Sequence, residues 1–262
     1  MNILYPLLFL CVLGLAAGVL LAAASKIFFV KRDETVEKIN EVLPGINCGA
    51  CGFSGCEGYA EAVAQGRAAC DMCKTGGAEA VQKISLIMGV DADISEPETA
   101  VVRCSGNCEA AAVKYDFEGV KSCAAAEMLY SGYKKCTSGC MGYGDCVSAC
   151  PHGAISLING VAVVDDRRCV GCGICVKMCP NGLITLRRRS AKLDYLCMSK
   201  LPARQTIDAC KNGCIACKQC VRVCPSGAVK IVDDHAEIDY SLCTGCGLCE
   251  QKCKRNVIKL RQ

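Results

Sequence analysis

The chain has 262 residues, 27 of them cysteine, and carries 30 Lys and Arg against 26 Asp and Glu for a net charge of +4. So small a charge, with no long basic block and no Trp, argues against nucleic acid as a partner. The cysteine count is odd, the cysteines gather in close quartets, and the chain is far longer than the small domains that need stapling, so a disulfide scaffold gives way to thiolate metal ligands in a reducing compartment.

From Ile3 to Ala24 no side chain is charged. That run is long enough to cross a hydrocarbon core of about 30 Å as a helix, and residues 1–30 are predicted to be a single transmembrane anchor. Lys26, Lys31 and Arg32 follow it directly, which places the rest of the chain on the cytoplasmic side of the cell membrane. A signal peptide cleaved near Ala22-Ala23-Ala24-Ser25 is the competing reading; it lacks a basic leading region, and export would deliver the thiols to an oxidising space. Cys11 reads as an apolar side chain within the span.

Residues 31–95 are predicted to form a small helical iron–sulfur domain. Val36, Ile39 and Leu43 recur at helical spacing until Pro44 ends the pattern. Cys48, Cys51 and Cys56 then share a glycine-rich loop, a helix spans 59–65, and Cys73 lies beyond it, close enough to complete a quartet around a cubane cluster. Cys70 is also in reach, and Cys73 is the preferred ligand. A further helix over 78–88 stops at Gly89, and the polar stretch 91–99 with Pro97 reads as a linker, with a boundary near residue 95.

Beyond it the chain repeats. Cys123, Cys136, Cys140, Cys146, Cys150, Cys169, Cys172, Cys175 and Cys179 return 74 positions later as Cys197, Cys210, Cys214, Cys220, Cys224, Cys243, Cys246, Cys249 and Cys253. Two tandem modules of the bacterial 2×(4Fe–4S) ferredoxin type, 96–190 and 191–262, are expected, and the fold class is α+β. In the first, residues 154–158 and 161–164 flank Asn159-Gly160, the pair favoured in a type I′ hairpin. In the second, 228–232 and 236–238 flank a looser turn at 233–235. The closing strands, 183–186 and 257–260, are expected to lie against the start of each module.

In ferredoxins of this type three cysteines of one run bind one cube and the fourth reaches the other. The second module fits directly, with one cube on Cys214, Cys217, Cys220 and Cys253 and another on Cys224, Cys243, Cys246 and Cys249. In the first, Cys150, Cys169, Cys172 and Cys175 are complete, but Tyr143 stands where the register requires a thiol. Cys140, Cys146 and Cys179 are therefore one ligand short. Either Cys136 completes the cube, or three protein ligands hold a 3Fe–4S or otherwise irregular centre. About five clusters follow, counting the upstream quartet. Seven cysteines remain, Cys11, Cys70, Cys104, Cys108, Cys123, Cys197 and Cys210; a sixth site using Cys104, Cys108 and Cys123 with another thiol stays open beside the reading of free reduced thiols.

His152 and His235 have no second ligand at useful spacing and read as turn surface. Arg187, Arg188 and Arg189 read as a solvated strand end, with steering of an acidic electron carrier as the alternative. No glycine-rich nucleotide motif and no nucleophile with its base is present, so no catalytic acid, base or nucleophile is expected.

The order of anchor, Cys48-Gly-Ala-Cys51-x4-Cys56-x16-Cys73-Lys-Thr-Gly-Gly and paired ferredoxin runs resembles the B subunits of the Rnf complex, the ion-translocating ferredoxin:NAD oxidoreductase. The resemblance covers essentially the whole chain. It implies a membrane-anchored subunit that takes electrons from soluble ferredoxin and relays them through 4Fe–4S clusters to membrane subunits that move Na+ or H+. Tyr143 departs from the simple motif. A membrane-tethered iron–sulfur sensor and a structural zinc protein are the rival readings.

Overall fold

A computed structural model describes residues 4–27, 33–91 and 96–261. Ile3, Lys31, Arg32 and the expected boundary near residue 95 lie outside these residues. Helix α1 (Leu4–Ile27) contains a stretch, Leu8–Lys26, long and apolar enough to cross a membrane. Its described side chains are exposed apart from the half-buried Ala24, so no other described part of the chain covers this apolar cylinder.

The helical domain is built from α2 (Glu34–Val42), α3 (Cys56–Ala64) and α4 (Gly77–Met88). Asp33 caps α2 by accepting the Thr35 N–H at 2.9 Å, and the apolar spacing turns Ile39 inward to meet Tyr59 of α3 and Ile84 of α4, all three fully buried. Helix α4 ends where Gly89 adopts a left-handed φ of 65°.

The remainder is two ferredoxin-like units, each with one hairpin and one pair of distant strands. The first comprises β1 (Glu98–Val102), α5 (Cys123–Met128), α6 (Asp145–Ser148), β2 (Ile155–Ile158), β3 (Val161–Val164), α7 (Ile174–Met178) and β4 (Ile184–Arg188). The second comprises β5 (Leu193–Tyr195), α8 (Ala203–Ala209), α9 (Gln219–Arg222), β6 (Val229–Val232), β7 (His235–Ile238), α10 (Leu248–Lys252) and β8 (Ile258–Leu260). β1 pairs antiparallel with β4, with Val101 opposite Thr185, and β5 pairs antiparallel with β8, with Tyr195 opposite Ile258. The hairpins are β2–β3 and β6–β7. Between the strands lie small cores in which cysteines stand beside Ile, Val and Ala.

Several expectations change on folding. The stretch 91–99 is not all linker: Glu98 and Thr99 already belong to β1, and Thr99 is fully buried because its partner strand lies 88 residues on, opposite Arg187. The second hairpin turn is as tight as the first. Asp233 and Asp234 take φ of 45° and 63°, as Asn159 and Gly160 take 48° and 73°, which Asp tolerates through its short polar side chain. His235 is therefore the first residue of β7 and is 2% exposed, not turn surface. Arg187 is likewise no solvated strand end. It is 4% exposed and lies between Asp166 and Asp194, while Arg261 also reaches Asp166. This charged network, with Arg103 to Glu237 at 3.4 Å, ties the two units together.

Candidate metal centres

The cysteine runs owe their shape to backbone conformation. In the loops Cys169-Val-Gly171-Cys172-Gly173 and Cys243-Thr-Gly245-Cys246-Gly247 the glycines have left-handed φ of 69°, 78°, 72° and 76°. Such alternation winds the chain tightly and brings closely spaced thiols together. The third loop achieves the same with Ala216 and Lys218, at φ of 50° and 61°, despite the steric cost. The fourth keeps the same winding at Gly142 (76°) and Gly144 (85°) but has Tyr143 in the ligand slot. A short helix follows each loop and puts one more buried thiol over the centre: Cys146 in α6, Cys175 in α7, Cys220 in α9 and Cys249 in α10.

Cys48, Cys51, Cys56 and Cys73 line one cavity, with Tyr59, Gly49, Gly55 and Thr75. Burial and these neighbouring thiols push the Cys73 thiol up. Asn47 accepts the Cys56 N–H at 2.8 Å and so anchors the loop to the start of α3. Cys70 does not line this cavity; it is buried in the helical core.

Cys214, Cys217, Cys220 and Cys253 line another cavity, closed by Tyr195, Ile231 and Val257. Cys175 is held near Cys169, Cys172 and Cys150, and burial together with these thiols pushes it up to about 11. Backbone N–H groups point at the sulfurs, from Ala100 to Cys169 at 3.3 Å and from Ala154 to Cys150 at 3.4 Å. Cys224, Cys243 and Cys249 pack on the second core, with Cys246 exposed on the loop before α10.

The irregular set departs from expectation. The cavity beside Cys140, Cys146 and Cys179 is lined by Cys123 and not by Cys136. Burial first, then the thiols of Cys140, Cys123 and Cys179, push Cys146 up to about 12. Cys123 opens α5, which Asp145 fixes by accepting the N–H groups of Cys123 at 2.9 Å and Ala124 at 3.0 Å and the Ser122 hydroxyl at 3.1 Å. Desolvation acts to raise the Asp145 carboxyl, but those N–H donors outweigh it and hold the acid below its usual range. Tyr143 turns away and stacks on Phe117 and Tyr133 at ring distances of 5.8 and 5.6 Å. The inserted segment thus brings the Cys123 thiol to the cavity of Cys140, Cys146 and Cys179. Cys136 instead lines a neighbouring cavity together with Cys104, Cys197 and Cys210.

The 74-residue repeat concealed this arrangement by aligning Cys123 with Cys197. In space the counterpart of Cys197 is Cys104: the two form an antiparallel bridge, and their sulfurs accept the N–H of Cys214 and Cys140 respectively. Thirty-six positions separate Cys104 from Cys140, whereas seventeen separate Cys197 from Cys214. A sequence signal did exist, since Tyr143 in the ligand slot demanded an external thiol and Cys123 was unassigned.

Among the described residues no group of three or more His, Cys, Asp or Glu is placed to hold a single metal ion. Three of the thiol sets line cavities instead, as four ligands do when the body between them is a cube with its own volume. Burial leaves many of these thiols protonated, so occupation of the sites releases protons.

Residues 43–75 match a family model described as "Putative Fe-S cluster", and residues 168–228 and 213–257 match one described as "4Fe-4S dicluster domain". The run containing Tyr143 lies outside these ranges. The chain is 40% identical to the B subunit of the ion-translocating oxidoreductase complex of Methanosarcina acetivorans, over 95% of each chain. It is 38% identical to the B subunit of the proton-translocating ferredoxin:NAD(+) oxidoreductase complex of Clostridium ljungdahlii, over 98% of this chain and 92% of the relative. With the B subunit of the Na(+)-translocating ferredoxin:NAD(+) oxidoreductase complex of Acetobacterium woodii it shares 39% identity over 63% of this chain and 50% of that one.

Proposed function

The chain belongs to the family of B subunits of ion-translocating oxidoreductase complexes and carries 4Fe–4S clusters as an electron-transfer subunit, and from that premise we propose that it takes electrons from reduced ferredoxin and relays them to the membrane subunits of its complex. Five ligand sets belong to this reading: Cys48, Cys51, Cys56 and Cys73; Cys150, Cys169, Cys172 and Cys175; Cys140, Cys146 and Cys179 with Cys123; Cys214, Cys217, Cys220 and Cys253; and Cys224, Cys243, Cys246 and Cys249. When bound, the clusters supply one-electron centres whose potentials are set by hydrogen bonds, charge and exposure.

The observation that carries the proposal is the contiguity of the sets. The Cys48 thiol lies near enough to Cys172 to act on it electrostatically, Cys175 acts in the same way on Cys146, and Cys220 on Cys249. The sets therefore adjoin in two groups, the helical domain's set with the first unit's two and the second unit's two with each other. The protein's part is to fix their spacing, to turn N–H groups toward sulfur and to keep water out with small apolar cores. Among these ligands Cys217 and Cys246 are exposed, and both belong to the second unit, which suits that end to exchange with a soluble carrier. The helical domain follows α1 directly in sequence, which suits the other end to the membrane. Lys26 at the end of α1 supports a cytoplasmic position for everything after it.

Stopped-flow mixing of the anaerobically purified full chain with reduced ferredoxin tests the relay. Rapid bleaching of several low-potential centres is expected. A protein whose centres ferredoxin does not reduce would favour the sensor reading, and a colourless protein with four or five zinc equivalents would establish the structural one.

A further inference from the structure

We propose that Cys104, Cys136, Cys197 and Cys210 hold a sixth 4Fe–4S cluster at the joint between the two ferredoxin-like units. The proposal rests on the iron–sulfur reading of the chain and adds a site to it. Two ligands come from each unit, and all four face the one cavity. The surrounding backbone is stitched across the joint: Ala112 N–H donates to Ala209 O at 2.9 Å, Lys211 N–H to Ala110 O at 2.8 Å, and the Asn212 amide to Ser105 O at 3.0 Å. The four sulfurs therefore sit on a bonded framework and not on independent loops.

Three further observations point to an anionic, sulfur-rich occupant. First, N–H groups already aim at the sulfurs: Gly106 and Cys140 donate to Cys104 Sγ at 3.4 Å, and Cys214 donates to Cys197 Sγ at 3.2 Å. The same donor pattern serves the regular sets. Second, Gly106, Gly139 and Gly213 line the cavity, yet none adopts a left-handed φ. Close packing around the thiols explains two of them: a Cβ on Gly139 would lie 3.1 Å from Cys136 O and one on Gly213 would clash with Thr206 Cγ2, while Gly106 lies against the sulfurs of Cys210 and Cys104. Third, Lys134 also lines the cavity at 2% exposure, and its ammonium reaches only the carbonyls of Gly106 at 3.2 Å and Gly160 at 3.4 Å. Among the described residues it has no carboxylate partner. A buried cation without a counter-ion is costly, and a cluster held by four thiolates, which carries net negative charge, supplies one. Arg255 adds a second cation by donating to the carbonyls of Cys210 at 2.6 Å and Gly213 at 3.0 Å.

The position gives the site a role. Cys140, whose N–H meets Cys104, is a ligand of the last set in the first unit, and Cys214, whose N–H meets Cys197, is a ligand of the first set in the second. The sixth site thus lies between the two units' chains of centres. One electron enters from one neighbour and one leaves to the other, with no net change at the site.

The test is iron and sulfide analysis with EPR and Mössbauer spectroscopy on the anaerobically purified full chain, its Cys136→Ser and Cys210→Ser variants, and Cys70→Ser as control. We expect about 24 irons in the parent, from six cubes. Each site variant should lose about 4 irons, or about 1 with the appearance of a three-iron signal, while Cys70→Ser matches the parent. About 20 irons in the parent, or variants that keep the full count, would overturn the sixth site and leave the relay intact. One zinc beside about 20 irons would overturn it as well. A parent free of iron would instead sink the iron–sulfur reading beneath it. The parent's count needs no variant to fold, so it decides the case even if a substitution destabilises the joint.

Discussion

Replacing Asp145 with Ala tests how the irregular set obtains its fourth thiol. Asp145 is no proposed ligand, but it lines the cavity of the irregular set and holds the first turn of α5 through two backbone N–H groups and the Ser122 hydroxyl. A hydrogen bond to a charged acceptor contributes about 1.5–3 kcal/mol, and with Asp145 only half-buried we take about 2 kcal/mol for the group as a whole. That corresponds to a roughly 30-fold shift away from the docked position of Cys123. The variant should therefore assemble the set incompletely, with EPR revealing a three-iron centre in a fraction of molecules that Cys123→Ala raises to nearly all. Iron in Cys123→Ala should fall by about 1 to 4 per chain. If Cys123→Ala keeps the parent's iron and spectrum, Cys123 is not the ligand, and the geometry of the cavity has been misread.

Introducing a thiol into the vacant slot, as Tyr143→Cys in the Cys123→Ala background, should restore the lost iron, because Gly142 and Gly144 already hold the loop in the ligand winding; iron analysis of the pair decides it. Arg187→Ala strips the buried partner from Asp194 and should destabilise the joint between units by about 3 kcal/mol, lowering the anaerobic melting temperature by roughly 6–12 °C. Gly160→Ala should also destabilise, since the left-handed turn disfavours a side chain and the new Cβ would fall 2.5 Å from the sulfur of Cys108; a melting temperature equal to the parent's would refute this. Stripping iron with chelator should release most of the order in residues 96–261, visible as loss of protection from proteolysis, because the apolar cores between strands are small.

The apolar N-terminal helix, the helices after it and the winding of the cysteine loops were legible in the chain because each rests on local rules. An uncharged apolar run is a property of consecutive residues, α2 follows from the spacing of Val36, Ile39 and Leu43 behind an Asp cap, and a Cys-x2-Cys-x2-Cys loop is wound by its own backbone. Crossed positions such as Cys253 reach beyond their neighbourhood, and Cys253 does line the cavity of Cys214, Cys217 and Cys220. The burial of Arg187 and His235 was not legible: whether a strand's charged residue meets water or a carboxylate depends on which strand is laid beside it. The placement of Cys104, Cys123 and Cys136 was hidden for a related reason. An insertion changes the distance along the chain without changing the distance in space, so the repeat aligned Cys123 with Cys197 while folding set Cys104 there. Composition and spacing determined that thiols would grip metal; which thiols share a cavity was decided in three dimensions, because a cube takes whichever four sulfurs surround it and is indifferent to their order in the chain.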